Sequence, residues 1–437
     1  MITKKWQLYP TYKDSGVEWL GAIPEHWKVK KCKQLSLIKR GASPRPIDNP
    51  SFFDDDGAYS WVRISDVTAS NKYLETSEQK LSELGKSKSI ALEPGELFVS
   101  ICATVGKPII TNIKCCIHDG FVYFPFLKEN REYLFYIFSG GELYKGLGKQ
   151  GTQLNLNTEI IGDIKLPIPP LPEQQKIAEF LDQETSKIDK LITKKERLIE
   201  LLKEKRTALI SHAVTKGLNP DVPMKDSGVE WLGEIPEHWE NWKISHAFQK
   251  IGSGTTPSTN RYDYYDGDVP WINTSELREN IITDTSVKIT NKALLDNSVL
   301  NLYSPGTLLI AMYGATIGRL GILGITACTN QACCALANPI LLDTKFVFYW
   351  LWMRRNELII LSSGGGQPNI NQEKIRSIKI PAPPLPEQQK IAEFLDRETS
   401  KIDNLITKTR TSIDHLKEYR TALISAAVTG KIDVREH

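Results

Sequence analysis

The densest cluster of potentially reactive side chains in the sequence is Cys115-Cys116-Ile117-His118-Asp119, a thiol beside a base and an acid. Nucleophile and base are brought together in space, however, and adjacency along the chain counts for little. The corresponding stretch of the second half, Cys328-Thr329-Asn330-Gln331, has no histidine, so both segments read as the buried ends of strands. A phosphate loop needs G-x-x-x-x-G-K-[ST]; Gly141 and Gly146 have the right spacing, but Leu147 stands where the lysine must be. No G-x-G-x-x-G turn occurs, and Ala337-Asn338-Pro339-Ile340 fails as the N-P-P-aromatic segment of amino-methyltransferases. His26 and His238 lack metal-ligand spacing. The seven cysteines, odd in number and without C-x-x-C pairs, read as reduced, mostly buried thiols. Neither catalysis nor a metal is expected.

What the sequence does offer is polar, basic and aromatic side chains on expected loops, the types that read duplex grooves. Arginine forks onto guanine O6 and N7, asparagine and glutamine do the same for adenine, and lysine meets phosphates. The first half supplies Lys39, Arg40, Ser43, Arg45, Arg63, Gln153 and Asn155. In the second they are Thr256, Ser258, Asn260, Arg261, Tyr262, Tyr264, Tyr265, Asn273, Gln367, Asn369 and Asn371. Trp61 and Trp271 are assigned to the core.

An internal repeat must position these residues. Lys13 to Trp27 (KDSGVEWLGAIPEHW) returns as Lys225 to Trp239 with one change, Ala22 to Glu234. Pro170 to Asp182 (PLPEQQKIAEFLD) returns unchanged as Pro384 to Asp396, followed by shared Glu-Thr-Ser-Lys-Ile-Asp, Leu-Ile-Thr-Lys and Arg-Thr-Ala-Leu-Ile-Ser. The chain is therefore two copies of a unit of about 213 residues, far beyond solenoid periods of roughly 20–50. Residues 28–165 and 240–380 differ widely but align in outline, Trp61-Val-Arg63 with Trp271-Ile-Asn273 and Ala103-Thr-Val-Gly106 with Ala315-Thr-Ile-Gly318.

The second repeated block predicts a helix that starts at Pro172 and meets no glycine or proline before Gly217, roughly 60–70 Å long at about 1.5 Å per residue. Its apolar stripe is read as Ile177, Leu181, Ile188, Leu191, Leu198, Leu202 and Leu209, repeated by Ile391, Leu395, Ile402, Leu405, Leu416 and Leu423. One such helix cannot bury its stripe alone, so the two are expected to pack together, antiparallel because the halves are equivalent. The variable regions mix short strand-like runs with two helices, Glu129 to Phe138 and Thr344 to Leu361. The expected fold is α+β: two α+β globules separated by two long antiparallel helices in a coiled coil, with a pseudo-twofold internal repeat and the termini close together. The segments are 1–27 and its second copy within the linker 217–239, variable regions 28–165 and 240–380, and constant helical regions 166–216 and 381–437.

Composition fits a folded chain: 437 residues, 41% hydrophobic and 24% charged. No run of about 18 uncharged apolar residues suggests a membrane span, and the opening lacks the apolar core of a signal peptide, so a soluble, cytoplasmic protein is expected. A net charge of +3 gives no overall basic signature; any basic surface must come from local sorting.

The doubled Pro-Leu-Pro-Glu-Gln-Gln-Lys-Ile-Ala (170–178, 384–392), the doubled Gly-x-Ile-Pro-Glu-His-Trp (21–27, 233–239) and the variable-constant-variable-constant layout together resemble the DNA specificity subunit of type I restriction-modification enzymes. The resemblance spans essentially the whole chain. It implies a prokaryotic, non-catalytic protein whose two target-recognition domains each read half of a bipartite, asymmetric site in double-stranded DNA, with the helix pair as ruler over an unread spacer. It further implies docking of two modification subunits, adenine methyltransferases that bind S-adenosylmethionine, and of up to two restriction subunits using ATP and Mg. This chain itself would hold no cofactor. Glu173, Gln174, Gln175, Glu387, Gln388 and Gln389 are then candidates to face partner subunits, or else to cap the helix starts. A two-headed protein-interaction adaptor on a helical spacer is the competing reading.

Overall fold

The computed structural model describes residues 6–144, 147, 149, 150, 153, 154, 156–229, 232–360 and 369–436. Asn155, Gln367 and the side chain of Gln153 lie outside the described residues. The chain divides into two compact units. One is Met1–Glu196 with Thr411–His437, the other Arg197–Arg410. Each therefore combines one variable region with part of both long helices.

In the first unit, a five-stranded sheet has the order Lys39–Arg40, Phe121–Tyr123, Leu97–Ser100, Pro108–Thr111, Tyr73–Leu74, antiparallel except for the last pair. Beside it, Cys115–Ile117 runs parallel to Tyr59–Val62 in a four-stranded sheet. The second unit repeats the scheme. Its five strands are Phe248–Ser253, Cys333–Pro339, Leu308–Ala311, Leu320–Leu323 and Asn280–Ile282, again with a parallel last pair, while Cys328–Thr329 runs parallel to Tyr265–Ile272. In each unit the two ends of the variable region are zipped together, Lys28–Lys31 onto Lys165–Ile168 and Glu240–Lys243 onto Lys379–Ala382. Trp61 and Trp271 are buried, as expected of core.

Four helices position the site: α1 (Arg131–Ser139), α2 (Leu171–Lys216), α3 (Thr344–Met353) and α4 (Leu385–Val428). The expected start of α1 at Glu129 moves because Asn130 is the cap, its side chain accepting from Tyr133 N at 2.8 Å. The expected helix Thr344 to Leu361 is instead α3 followed by a separate Arg355–Ile360, with Leu361 outside the described residues. Helix α2 runs 46 residues and ends at Gly217, whose φ of +79° suits the left-handed residue that closes a helix. Gly430 (φ +70°) follows α4 in the same way.

Within each unit the two long helices are antiparallel. In the first, Arg420 Nε and Nη2 hold Asp189 at 2.9 and 3.2 Å, while Tyr133 Oη reaches the Val428 carbonyl near the other end of the segment. In the second, Arg206 Nη1 lies 2.5 Å from Asp403, and Gly217 approaches Glu387. Arg206 and Arg420 come from one repeated motif, Asp189 and Asp403 from another, so the repeat sets the helix register. The first and last described segments meet, Asp433 N donating to the Gln7 carbonyl at 2.8 Å. Among the described residues, no helix is long and apolar enough to cross a membrane.

The buried stripe differs from the expected one by one residue at alternate positions. In α2 it is Leu181, Thr185, Ile188, Ile192, Ile199 and Ala213, with half-buried Lys195, Leu202, Arg206 and Leu209 completing an unbroken four-three alternation. In α4 it is Leu395, Thr399, Ile402, Ile406, Thr409, Ile413, Leu423 and Ala427, with Leu416 and Arg420 half-buried in the same row. Leu191, Leu198 and Leu405 are instead 43%, 44% and 51% exposed, next to buried Ile192, Ile199 and Ile406. The cause is the adjacent Leu-Ile pair: either residue completes an apolar row, and the polar members Thr185 and Arg206, fixed by tertiary contacts, select the isoleucine row. We predict that Ile188→Ala destabilises the chain by about 2–4 kcal/mol and Leu191→Ala by less than about 1 kcal/mol. Urea unfolding midpoints of the full chain compare the two.

Candidate nucleic-acid interface

The repeated motifs meet at the start of each long helix. Glu173 is buried, and its carboxylate accepts from Tyr9 Oη (2.8 Å), Trp27 Nε1 (3.0 Å) and His26 Nε2 (2.8 Å). Glu387 takes Trp239 Nε1 (3.2 Å) and His238 Nε2 (2.8 Å) in the same way. A carboxylate removed from water needs such donors, so Glu-His-Trp and Pro-Leu-Pro-Glu must occur together. The next residue clamps the variable region. Gln174 Oε1 accepts from Asn130 N (2.9 Å), while its Nε2 donates to Glu129 (2.6 Å) and the Pro169 carbonyl (2.9 Å). Gln388 matches it, accepting from Asp343 N (2.7 Å) and donating to the Leu341 and Pro383 carbonyls. Asn130 and Asp343 are the caps of α1 and α3, so the constant glutamine satisfies the backbone of the residue that starts each recognition-domain helix.

Two turns further on, Asp182 accepts from Tyr136 Oη (2.5 Å) and pairs with Lys72, and Asp396 accepts from Tyr349 Oη (2.7 Å) and pairs with Lys345. Thr185 and Thr399 stand 3.3 Å from the same tyrosine oxygens. Sequence reasoning missed these tyrosines, whose signal is their nearly equal distance from the repeated block, 46 residues before Asp182 and 47 before Asp396. Of the residues expected either to face partner subunits or to cap the helix starts, Glu173, Gln174 and Gln388 are buried and occupied within their own units, and Glu387 is half-buried on His238 and Trp239. Gln175 and Gln389 are exposed.

The candidate readers separate in the same manner. Lys39, Arg40 and Arg45 are exposed, and Arg40, Ser43 and Arg45 converge on Asp119. Ser43 Oγ donates to its Oδ1 at 2.7 Å, and that hydrogen bond, with Arg40 nearby, holds the carboxyl below its ordinary pKa despite partial burial. Arg63 is exposed just before a short helix, its backbone N on Asp66. In the second unit, Thr256 Oγ1 donates to Gln331 Oε1 at 2.7 Å, and Ser258, Asn260 and Tyr262 are exposed, Tyr262 by 88%. Arg261 is exposed too, but forks onto Asp263 with both contacts at 2.8 Å and lies over the Tyr264 ring. Tyr264 is buried with its hydroxyl on Asp296, Tyr265 donates to the Pro257 carbonyl, and Asn273 and Asn371 cap short helices, so these four serve the fold. Asn369 is exposed and bridges to Tyr313 through its backbone.

The cysteine cluster is core. Cys115 and Cys116 are fully buried, and desolvation raises their thiols to about 12 and about 11, leaving no thiolate at neutral pH. His118 Nδ1 accepts from Gly120 N at 2.8 Å, and burial lowers its pKa. Among the described residues, no group of three or more His, Cys, Asp or Glu side chains could hold a metal.

One recognition fold used twice, mounted twice on the same helix motif and facing solvent with different loops, defines a two-part binding scaffold. The family model of the type I restriction modification DNA specificity domain matches residues 24–201 and 236–415. The chain belongs to that family: it is a non-catalytic specificity subunit. Among its relatives, the putative type I restriction enzyme MjaX specificity subunit of Methanocaldococcus jannaschii is 26% identical over 95% of this chain and 96% of its own. The MjaVIII specificity subunit of the same organism is 28% identical over 94% of each. Among solved structures, a chain from a study of complex assembly and conformational transition of the type I R-M system aligns with a TM-score of 0.74 at 15% identity, covering 93% of this chain and 98% of that one. The HsdS subunit of Thermoanaerobacter tengcongensis aligns with a TM-score of 0.57 at 17% identity over 94% and 98%. These two share the fold.

The mount is directly testable. Gln174→Ala leaves a buried amide N–H and carbonyl without partners and is predicted to cost about 3 kcal/mol, whereas exposed Gln175→Ala changes stability by less than about 0.5 kcal/mol. Thermal unfolding of the two variants beside the parent chain measures the difference.

Proposed function

We propose that this DNA specificity subunit reads a bipartite, asymmetric site in double-stranded DNA, residues 28–165 serving one half and 240–380 the other, with unread base pairs between. The observation that carries the reading is that two units with the same strand order and the same helix mount present different side chains on equivalent loops. Such an arrangement suits a constant framework that meets the same kind of partner twice and a pair of readers that meet different bases. Arg40, Arg45, Lys39 and Arg63 in the first unit, and Tyr262, Asn260, Ser258 and Thr256 in the second, are among the exposed side chains available for it.

The chain then works with other subunits of the restriction-modification system. Two modification subunits, each seated on one copy of the constant region where Gln175 and Gln389 are exposed, fit the duplication, and up to two restriction subunits join them. The methyl donor S-adenosylmethionine, ATP and Mg belong to those subunits. This chain holds the duplex while a partner takes the target adenine out of the stack.

Mapping methyladenine genome-wide, with and without this chain beside its modification subunit, is expected to reveal a two-part motif that vanishes without the chain. Exchanging 240–380 for the same region of a relative should alter one half of that motif only; a change in both halves would sink modular reading. Because phosphate contacts release counterions, affinity for a specific duplex should also fall by at least tenfold between 50 and 200 mM salt, measurable by fluorescence anisotropy of the assembled complex.

A further inference from the structure

The repeat places two loops at the same address, and the address carries different chemistry in each unit. After the first strand of each five-stranded sheet comes Gly41-Ala42-Ser43-Pro44 in one unit and Gly254-Thr255-Thr256-Pro257 in the other. Neither glycine has room for a side chain. A Cβ at Gly41 would lie 2.2 Å from the His118 carbonyl oxygen, and one at Gly254 would lie 1.7 Å from that of Thr329. Each loop is thereby held against the turn that carries Asp119 or Gln331, a turn closed in both units by the same backbone bond, Phe121 N to His118 O and Cys333 N to Asn330 O. The hydroxyl completes the match, Ser43 donating to Asp119 and Thr256 to Gln331, both at 2.7 Å.

The local fold needs only an acceptor at this point, and a carboxylate or an amide oxygen meets that need equally. The outward face is what differs. Asp119 Oδ2 lies 3.4 Å from Arg45 and 4.0 Å from Arg40, whose side chains are 78% and 58% exposed. The strand and loop positions that answer Arg40 and Arg45 are Ser253 and Ser258, and Gln331 is itself exposed. A guanidinium braced by a carboxylate offers a fixed fork to guanine O6 and N7. A glutamine oriented through its oxygen still offers that oxygen's second lone pair and an N–H to adenine N6 and N7.

We propose that Asp119 and Gln331 are the equivalent specificity positions of the two units. Asp119 is a positioning residue that presents Arg45 and Arg40 to a guanine in one half-site, and Gln331, oriented by Thr256, reads an adenine directly in the other. The inference rests on the DNA-reading function proposed above and names the bases that two positions of it address.

The test uses the assembled complex, whose motif is first read from methyladenine mapping with the parent chain. Binding is then measured by competition with duplexes substituted one base pair at a time across both half-sites. Gln331→Glu, which loses the N–H donors, should lower discrimination at one A·T pair by about 5- to 150-fold, in the half that depends on 240–380, and favour cytosine there. Thr256→Ala should weaken the same pair and no other. Asp119→Asn should lower discrimination at one G·C pair of the opposite half, with Asp119→Glu restoring it, a base-specific pattern that a purely structural role does not produce. Equal weakening at every duplex, or a substitution profile identical to the parent's, overturns the proposal. If the parent complex yields no two-part motif, the functional reading itself falls; if it does and the variants match the parent, only this assignment falls.

Discussion

Each unit is organised around a carboxylate at the start of a long helix, buried in the first unit and half-buried in the second. Glu173 accepts from Tyr9, His26 and Trp27, and Glu387 from His238 and Trp239, so the Glu-His-Trp segment is bound to the helix by the requirement that a buried charge find donors. Removing either side leaves the other stranded. The neighbouring glutamine carries the constraint outward, because Gln174 and Gln388 satisfy the backbone of the very residues that cap α1 and α3. Framework and recognition domain are therefore one hydrogen-bonded body at that point. The Tyr136–Asp182 and Tyr349–Asp396 contacts repeat the joint further along the helix.

That mount explains why short polar blocks recur unchanged while the regions between them drift. A socket of two or three directional hydrogen bonds tolerates little substitution, since each lost partner leaves a buried polar group unpaired. A β-sheet core tolerates many, provided volume and pattern persist. Phe98 and Phe121 in one unit and Leu309 and Ala335 in the other line equivalent strands with different side chains and the same pairing scheme. The N-terminal segment takes part in the same logic: Pro24 and Trp27 crowd Gly430 after α4, as Trp239 crowds Gly217 after α2, so the chain's first motif occupies the place that would follow its last helix.

The repeat, the long helices and the buried tryptophans were legible because each rests on identity or on a strict spacing requirement. The seam was misread at Leu191, Leu198 and Leu405 because an apolar pair gives periodicity two equally good rows. Only contacts made from outside the helix, such as Thr185 to Tyr136, choose between them. Glu173 and Gln174 were ambiguous for a related reason: a polar cluster at a helix start looks alike whether it faces a partner or its own chain. Among the loop candidates, Tyr264, Asn273 and Asn371 turned out to be spent on local structure, since asparagine is as apt to cap a short helix as to meet a base. Asp119 and Gln331 went unread as a pair, because their equivalence depends on strand register rather than on sequence similarity.

Separating the socket from the reading loops also separates their energetics. Gln174 is buried at the helix start, whereas Ser43 follows the first strand of the five-stranded sheet and Asp119 precedes the second, and among the described residues they share no hydrogen-bonding partner. Distant sites without common partners contribute to stability almost independently. Changes at the loop tips therefore leave the mount intact, and a rigid mount holds whatever the loops carry in a fixed position. On the assignment proposed for Asp119 and Gln331, a binding surface changes its preference through a single outward side chain, while a glycine and a hydroxyl of the same kind aim it in both units.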